Sequence, residues 1–576
     1  MKCDLTVWKT LFVLVVGCSL VSHADTVQVS TADELIALFQ NTLETTVSSD
    51  IELLNDLVFS TSNLPFPLGV NSNGTCVAYS GVFHGNYHSI KGLVMDNTNN
   101  QVWKHSGLFC NLKGATVVNL AIDSTCSFTG LWSGALGVTV TGSLTVENVT
   151  NKASVSGAEK VAGFIGSVEY LKQGRTNLSF TDCANQGNVI GNGNYVGGFV
   201  GSIYHNNEID VFFNSCINKG AVTGLQFVGG FIGNILGNTG VSVFVSNSEN
   251  YGAITGTNYS TGGFVGRVMG NTNVKMNFSG CSGYGAVSQG SYDGGFIGYV
   301  FDNTNFDLSA QSCFNNAPIS GTKIISGFFG YVHLNREVTI TFSNCVNAET
   351  IFASKNYAGG FIGYVSRNKN INITISESSN FGLIRAGVIY VGGFIGSIYD
   401  NENIKLYGFK SQSQSQSQSL IQGMSTVGGL IGGIENNKLV DISFSEMTSV
   451  SAEMNSELTG LFIGSVKFNE KSHFTISNSS SDGLFKGGYY VGGFIGSIAQ
   501  NQNTDVSFSN CNNNVSSTDV FYMNTFGGFI GQISRNVNFD VSLSLCKNDG
   551  VIHGLGHAGG FIGFIPGNKN ISIQIT

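Results

Sequence analysis

The sequence predicts an all-β chain: a right-handed parallel β-helix, or β-solenoid, with about 33 residues and three strands per coil behind a short N-terminal capping helix. Three observations predict it. First, the stretch Tyr195-Val196-Gly197-Gly198-Phe199-Val200-Gly201 returns as Val228-Gly229-Gly230-Phe231-Ile232-Gly233, as Tyr390-Val391-Gly392-Gly393-Phe394-Ile395-Gly396 and as Tyr490-Val491-Gly492-Gly493-Phe494-Ile495-Gly496. Second, its copies are evenly spaced: the aromatic position falls at Phe164, Phe199, Phe231, Phe264, Phe296, Phe328, Phe361, Phe394, Leu430, Phe462, Phe494, Phe529 and Phe561. Most steps are 32 or 33 residues (264 − 231 = 33; 296 − 264 = 32), and the few longer ones are what surface loops between stacked coils tolerate. Third, each interval holds a segment of strict apolar/polar alternation, such as Val274-Lys275-Met276-Asn277-Phe278-Ser279, the period of a half-buried strand.

In chain order, residues 1–24 read as a secretory signal peptide: Lys2 and Lys9 precede the apolar run from Leu11 to Val16, and Ser22-His23-Ala24 supplies small residues at a cleavage site. Val15-Val16-Gly17-Cys18 also resembles a bacterial lipobox, which would place a lipid on Cys18 instead. Residues 25–60 form an N-terminal cap, where Thr31-Ala32-Asp33-Glu34 has capping-box spacing and Leu35, Leu38 and Phe39 follow at helical intervals. Residues 61–150 read as irregular opening coils, with Ser133-Gly134-Ala135-Leu136-Gly137 a degenerate copy of the motif. Residues 151–576 are the regular array, interrupted by the Ser-Gln tract 411–419, a loop or a pairing-tolerant strand. Ile571-Ser572-Ile573-Gln574-Ile575-Thr576 is the second strand of a coil that does not complete, an edge expected to be paired or covered.

Within a coil the first strand is the motif itself, Gly262 to Val268; the second is the alternating segment; the third is short, Gly285-Ala286-Val287-Ser288. Stacked, the alternating segments make inward ladders about 4.8 Å apart, giving a rod roughly 70–80 Å long. Glycines are expected at the corners, supplying turns with φ > 0 and close backbone approach.

The opening resembles secreted parallel β-helix proteins of the GLUG-repeat kind on Phe83, Gly85, His88 and Ile90, followed by Gly107, Leu108 and Phe109, and the resemblance runs over nearly all of the chain after the signal peptide. It implies a secreted or surface-exposed, adhesin-like protein. Some large GLUG-bearing surface proteins carry a metalloprotease His-Glu-x-x-His, and this chain has none.

Composition and motifs exclude several classes. The chain has 576 residues, 77 Gly, only 11% charged residues and a net charge of −9, which argues against a nucleic-acid surface. No second apolar run of membrane-spanning length follows the signal peptide. The Gly-rich stretches lack the Lys-Ser/Thr and helix of a phosphate loop, and no nucleophile elbow or calcium nonapeptide occurs. A polysaccharide-active β-helix would need carboxylates in adjacent coils, whereas Asp293, Asp307, Asp400 and Glu435 lie at different phases of the repeat. His553 and His557 are separated by glycines that deny them a shared helical face, and there is no Cys-x-x-Cys, so no catalytic, cofactor or metal residue is assigned.

Three sets of residues remain as sites. Asn73, Asn148, Asn177, Asn258, Asn478 and Asn514 head sequons open to glycosylation; Asn570 heads another, and Asn277 and Asn372 head two more inside alternating strands. Cys183, Cys216, Cys281, Cys313, Cys345 and Cys546 fall 15 or 16 residues before the next motif aromatic and so form one column, either a buried ladder filling a corner or a source of bridges between coils. Ile232, Val265, Ile297, Ile362 and Ile395 follow the motif aromatic: outward-facing, they would be a contact stripe; with the glycines bending the strand, they would be buried. The expected function is a secreted or cell-surface rod acting by contact, without catalysis, on glycans or proteins of a host or cell surface or on itself through solenoid edges. The alternatives are a polysaccharide lyase or hydrolase and a passive stalk.

Overall fold

The computed structural model describes residues 26–576 apart from 41–45, 61–63, 65, 72, 173, 388, 415–420, 423–425, 518–522 and 553–555. The signal peptide and its lipobox alternative, His553 and the greater part of the Ser-Gln tract lie outside the described residues. One helix, Ala32–Gln40, caps the first coil. Its capping box is formed in both directions: the Glu34 amide donates to Thr31 Oγ1 at 3.3 Å, and the Thr31 amide donates to Glu34 Oε2 at 3.2 Å. The buried face is Leu35, Ile36 and Phe39, and the Phe39 ring packs 5.8 Å from Tyr79 and 5.9 Å from Phe109, so the helix lids the core. Among the described residues no helix is long and apolar enough to cross a membrane.

Behind the cap the chain is a parallel β-solenoid. The motif strands, such as Ile165–Glu169, Val200–Tyr204 and Ile232–Leu236, stack in register into a ladder of seventeen among the described residues. At the spacing of hydrogen-bonded strands, that ladder is roughly 75–80 Å long. The alternating segments stack beside it, as Thr239–Ser246 on Thr272–Ser279 on Thr304–Gln311, with Val274, Met276 and Phe278 inside and Lys275 outside. The third piece is a single strand in some coils, as Ser127–Gly134, Ser154–Ala162 and Ser480–Gly492, which gives the expected three strands per coil. In others it is broken into shorter segments, as Ser282–Gly283, Val287–Ser288 and Tyr292–Gly294. The same pairing runs unbroken through residues 82–151, and the degenerate copy is a true rung: Gly137 pairs with Ile165, and Leu136 is buried.

Motif phenylalanines stack face to face along the axis. Phe199 to Phe231 is 4.8 Å between centroids, Phe264 to Phe296 is 4.8 Å and Phe296 to Phe328 is 4.7 Å. The contact stripe does not exist: Ile232, Val265, Ile297, Ile362 and Ile395 are fully buried. At the equivalent position Phe329 stacks 4.9 Å from the core residue Phe342, while its neighbour Phe328 also packs inward. The reason is a bend at the two glycines. A Cβ on Gly294 would lie 2.1 Å from the Ile297 carbonyl oxygen, so the chain folds back tightly enough to break the in/out alternation.

Those motif glycines serve close approach alone. The left-handed corners, three per regular coil, are held by non-motif glycines in some coils, as Gly237 (φ 65°), Gly240 (φ 69°), Gly270 (φ 63°) and Gly280 (φ 62°), and by other residues elsewhere, as Asp302 (φ 53°), Asn305 (φ 54°) and Ser312 (φ 51°). After glycine, asparagine and short polar residues tolerate that region best, which accounts for part of the Asn-rich composition of the turns.

The remaining asparagines are structural rungs. One ladder runs through Asn206, Asn238, Asn271, Asn303, Asn335, Asn368, Asn401, Asn437, Asn469, Asn501, Asn536 and Asn568. Each Nδ2 donates to the next Oδ1, as Asn335 to Asn368 at 3.0 Å, and to a carbonyl of the coil behind, as Asn335 to Val300 at 3.2 Å. Each Oδ1 also accepts the preceding rung's backbone amide, so the turn's buried polar groups are satisfied. A second ladder runs through Asn151, Asn185, Asn218 and Asn250, lapses at Gly283 and resumes at Asn315, Asn347 and Asn380. Ser413, in the described part of the Ser-Gln tract, pairs with Asn380 and takes the next position.

Candidate functional site

The coil exterior is mostly short polar side chains, and against that background one feature stands out. Along the corner made by the glycine bend, the outward residues of two adjacent strand columns include short runs of aromatics, broken at Ser260, Ile324 and Thr426 in the first column and ending at Ser397 in the second. In the first column Trp132 pairs with Lys160, Lys160 with Tyr195, Tyr195 with Phe227, Tyr357 with Tyr390. In the second, Arg267, Tyr299, Tyr331 and Tyr364 succeed one another. The bend turns the two columns toward each other, so residues seven apart in one coil meet: the rings of Tyr357 and Tyr364 are 4.1 Å apart and 8° from parallel. The result is two rings deep in the coils of Tyr292–Tyr299 and Tyr357–Tyr364. Tyr299 and Tyr364 lie beneath, at 5% and 9% exposure, and Tyr292, Tyr357 and Tyr390 lie above, half-buried.

Along the axis the rings follow the coil spacing: Tyr299 to Tyr331 is 5.2 Å, Tyr331 to Tyr364 is 5.3 Å and Tyr357 to Tyr390 is 5.7 Å, all within 22° of parallel. Ring faces are therefore spent on neighbouring coils, and the Tyr331 hydroxyl is bonded to Ser366 Oγ at 3.0 Å. Burial pushes the Tyr299, Tyr364 and Tyr390 phenols up, and that of Tyr331 up to about 12, so these tyrosines are neutral at physiological pH. Cations close the N-terminal part of the corner. Lys160 Nζ sits 3.9 Å over the Trp132 ring and pairs with Glu169 at 2.5 Å, and the Arg267 guanidinium lies 3.5 Å from the Phe227 ring centre. His105, wedged between Trp103 and Trp132, is lowered by burial to about 4.

The sequence-predicted residues are placed as follows. Asn73, Asn148, Asn177, Asn258, Asn478 and Asn514 are all exposed, whereas Asn277 and Asn372 are half-buried with an occluded side-chain oxygen. Cys183, Cys216, Cys281, Cys313 and Cys345 are buried free thiols, and Cys546 is partly exposed. Each buried thiol donates to a carbonyl of the coil behind, as Cys313 to Phe278 at 3.4 Å, and serine replaces cysteine in the same column at Ser248 and Ser378. Cys511 belongs to this column and was hidden by a longer loop before Phe529. A disulfide, Cys76–Cys110, joins two opening coils; its separation of 34, close to one coil, was the signal for it.

Carboxylates do share a column. On the outward face of the long strands Asp441 pairs with His473, His473 with Asp505, and Asp505 with Asp540. His473 Nδ1 contacts Asp505 Oδ1, and a shallow concavity of about 470 Å³ beside it is lined by Asn403, Leu439, Val440, Asp441, Lys471, His473 and Asn503. The four residues were missed because a histidine occupies one rung and the step to Asp540 is 35 residues rather than 32. Asp293, by contrast, points into the core, where it is fully buried. Among the described residues no group of three or more His, Cys, Asp or Glu is placed to hold a metal ion.

No family model matches the chain, and no curated protein matches it. Among solved structures it is similar to a putative immunoglobulin A1 protease from Bacteroides ovatus, at 12% identity and a TM-score of 0.30, over 62% of this chain and 84% of that one. A likeness at that level assigns no activity, and the fold rests on the strand register described above.

Proposed function

We propose that this chain is a secreted or cell-surface rod of the GLUG-repeat kind that works by contact, as an adhesin does, and not by catalysis. The observation that carries this reading is the tyrosine cluster of Tyr292, Tyr299, Tyr331, Tyr357, Tyr364 and Tyr390, whose stacked, partly exposed rings supply contact area at low entropic cost. Export is supported by the Cys76–Cys110 disulfide, which suits an oxidising compartment, and by the exposed sequons. Its partners are surface glycans or proteins. The test is adhesion of the purified chain to host or neighbouring cells, comparing wild type with Tyr357→Ala/Tyr390→Ala. Loss of adhesion in the variant supports the reading; a wild-type rod that adheres to nothing would leave it a stalk.

A second reading, a carbohydrate-active enzyme, is favoured by the Asp441–His473–Asp505–Asp540 row. Polysaccharide cleavage abolished by Asp505→Asn would establish it in place of the first.

A further inference from the structure

One pair in the thiol column differs from the rest. Ser509 pairs with Ser544 and Asn512 with Lys547, so the register sets Cys511 and Cys546 opposite each other on consecutive coils. At the spacing of hydrogen-bonded strands, about 4.8 Å, their backbones stand within the range that a disulfide spans. The buried thiols of the column are held from behind: Cys183, Cys216, Cys281, Cys313, Cys345 and Cys511 each donate to a carbonyl of the preceding coil, as Cys511 to Ile476 at 3.3 Å. Among the described residues Cys546 makes no such bond; the carbonyl it reaches, at 3.3 Å, is that of Ser544, two residues back. Cys546 is also the one thiol of the column that is not buried.

These differences set an order of events. A small-molecule disulfide in solution can touch Cys546 and none of the buried thiols. The Cys511 thiol beside it lowers the Cys546 pKa, which raises its thiolate fraction, whereas Cys313 is pushed far up by its neighbours Cys281 and Cys345 and by burial. Turning Cys546 Sγ away from Ser544 gives up only the bond of a weak donor. The Cys546 thiolate attacks one sulfur of the reagent, whose disulfide bond breaks; a mixed disulfide forms on Cys546 and one small thiolate leaves. Cys546, now uncharged, no longer holds the proton on Cys511. The Cys511 proton passes to the departed thiolate, its sulfur attacks the Cys546 sulfur, and the second small thiolate leaves and takes a proton from water. The two cysteines lose two electrons between them, and the reagent is reduced to two thiols.

We propose that Cys546 and Cys511 form a redox pair: a low-molecular-weight disulfide modifies Cys546, and Cys511 resolves the adduct into a bridge that joins the two coils. This goes beyond the contact reading and does not depend on it. The experiment takes the folded chain after the signal peptide, with its eight free thiols and Cys76–Cys110 closed, and adds oxidised glutathione at neutral pH. Acid quenching, alkylation in denaturant and peptide mass mapping then follow the thiols. Free thiols are expected to fall from eight to six, by way of a glutathione adduct on Cys546. Cys511→Ser is expected to stop at that adduct, and Cys546→Ser to take up no glutathione. Both substitutions suit the fold, since serine already stands in this column at Ser248 and Ser378. Cys313→Ser is expected to leave the bridge unchanged. A chain isolated with Cys511 and Cys546 already joined supports the proposal. Eight thiols surviving the treatment of the wild type overturn it, as does an adduct that persists on wild-type Cys546 as long as it does in Cys511→Ser. A bridge formed first among Cys281, Cys313 and Cys345 overturns it too.

Discussion

Asn315 directs its side-chain oxygen at Gly283. That oxygen is buried and has no hydrogen-bond partner, and a Cβ built on Gly283 would lie 3.5 Å from it, in ordinary contact. On the intact stretches of the same ladder the preceding Asn donates here, as Asn185 does to Asn218 at 2.8 Å. Gly283→Asn is therefore expected to restore the rung, accept from Asn250 and donate to Asn315. The gain should be about 1–2 kcal/mol, read as a higher denaturant midpoint at unchanged m-value. A lower midpoint would show that the gap is needed for packing.

The other ladder has no such gap at its centre. Asn335→Ala strands the Asn303 amide and side chain and the Val300 carbonyl. It should cost about 3 kcal/mol, against about 0.5 kcal/mol or less for the exposed Lys275→Ala in equilibrium unfolding. Equal costs would mean that the ladder follows from the fold and does not support it.

Asp293 occupies a rung between Thr261 and Ile325 in an inward column that holds valine at Val228 and Val391. Neither carboxyl oxygen has a hydrogen bond of good geometry, and burial, outweighing the nearby Thr261 hydroxyl and Gly290 amide, pushes its pKa well above 3.8. The folded state therefore holds a proton that the unfolded state releases above about pH 4, so this group makes stability fall as pH rises. The depressed carboxyls of Asp56, Asp123 and Asp210 act oppositely, but only as pH falls below 3.8. Unfolding free energy should thus rise on going from about pH 8 toward pH 5, and Asp293→Val should flatten that slope and add about 1–3 kcal/mol at neutral pH. An unchanged slope in the variant would refute the assignment.

Cys546 is the accessible end of the thiol column. Its place beside the Cys511 thiol lowers its pKa, while Cys313, a free thiol flanked by Cys281 and Cys345 and buried, is pushed far up. Under native conditions at neutral pH a maleimide should label Cys546 first by a wide margin, with the inner thiols reacting only on unfolding. Mass mapping that finds Cys313 labelled as early would contradict the buried ladder.

The sequence by itself determined the period, the parallel stacking, the capping box and the inward phenylalanine ladder. Each is local or strictly periodic: Thr31 and Glu34 are three apart, and Val274, Met276 and Phe278 alternate along one straight strand. Only the tertiary structure decided what depends on a bend or on the register between coils. Alternation predicts a side chain's face only while the strand is straight, so the bend at Gly294 could turn Ile297 inward and bring Tyr357 onto Tyr364. The Asn rungs, Cys511 and the row from Asp441 to Asp540 depend on loop lengths that vary from coil to coil, and which residues stack is fixed when the backbone hydrogen bonds between coils set the register.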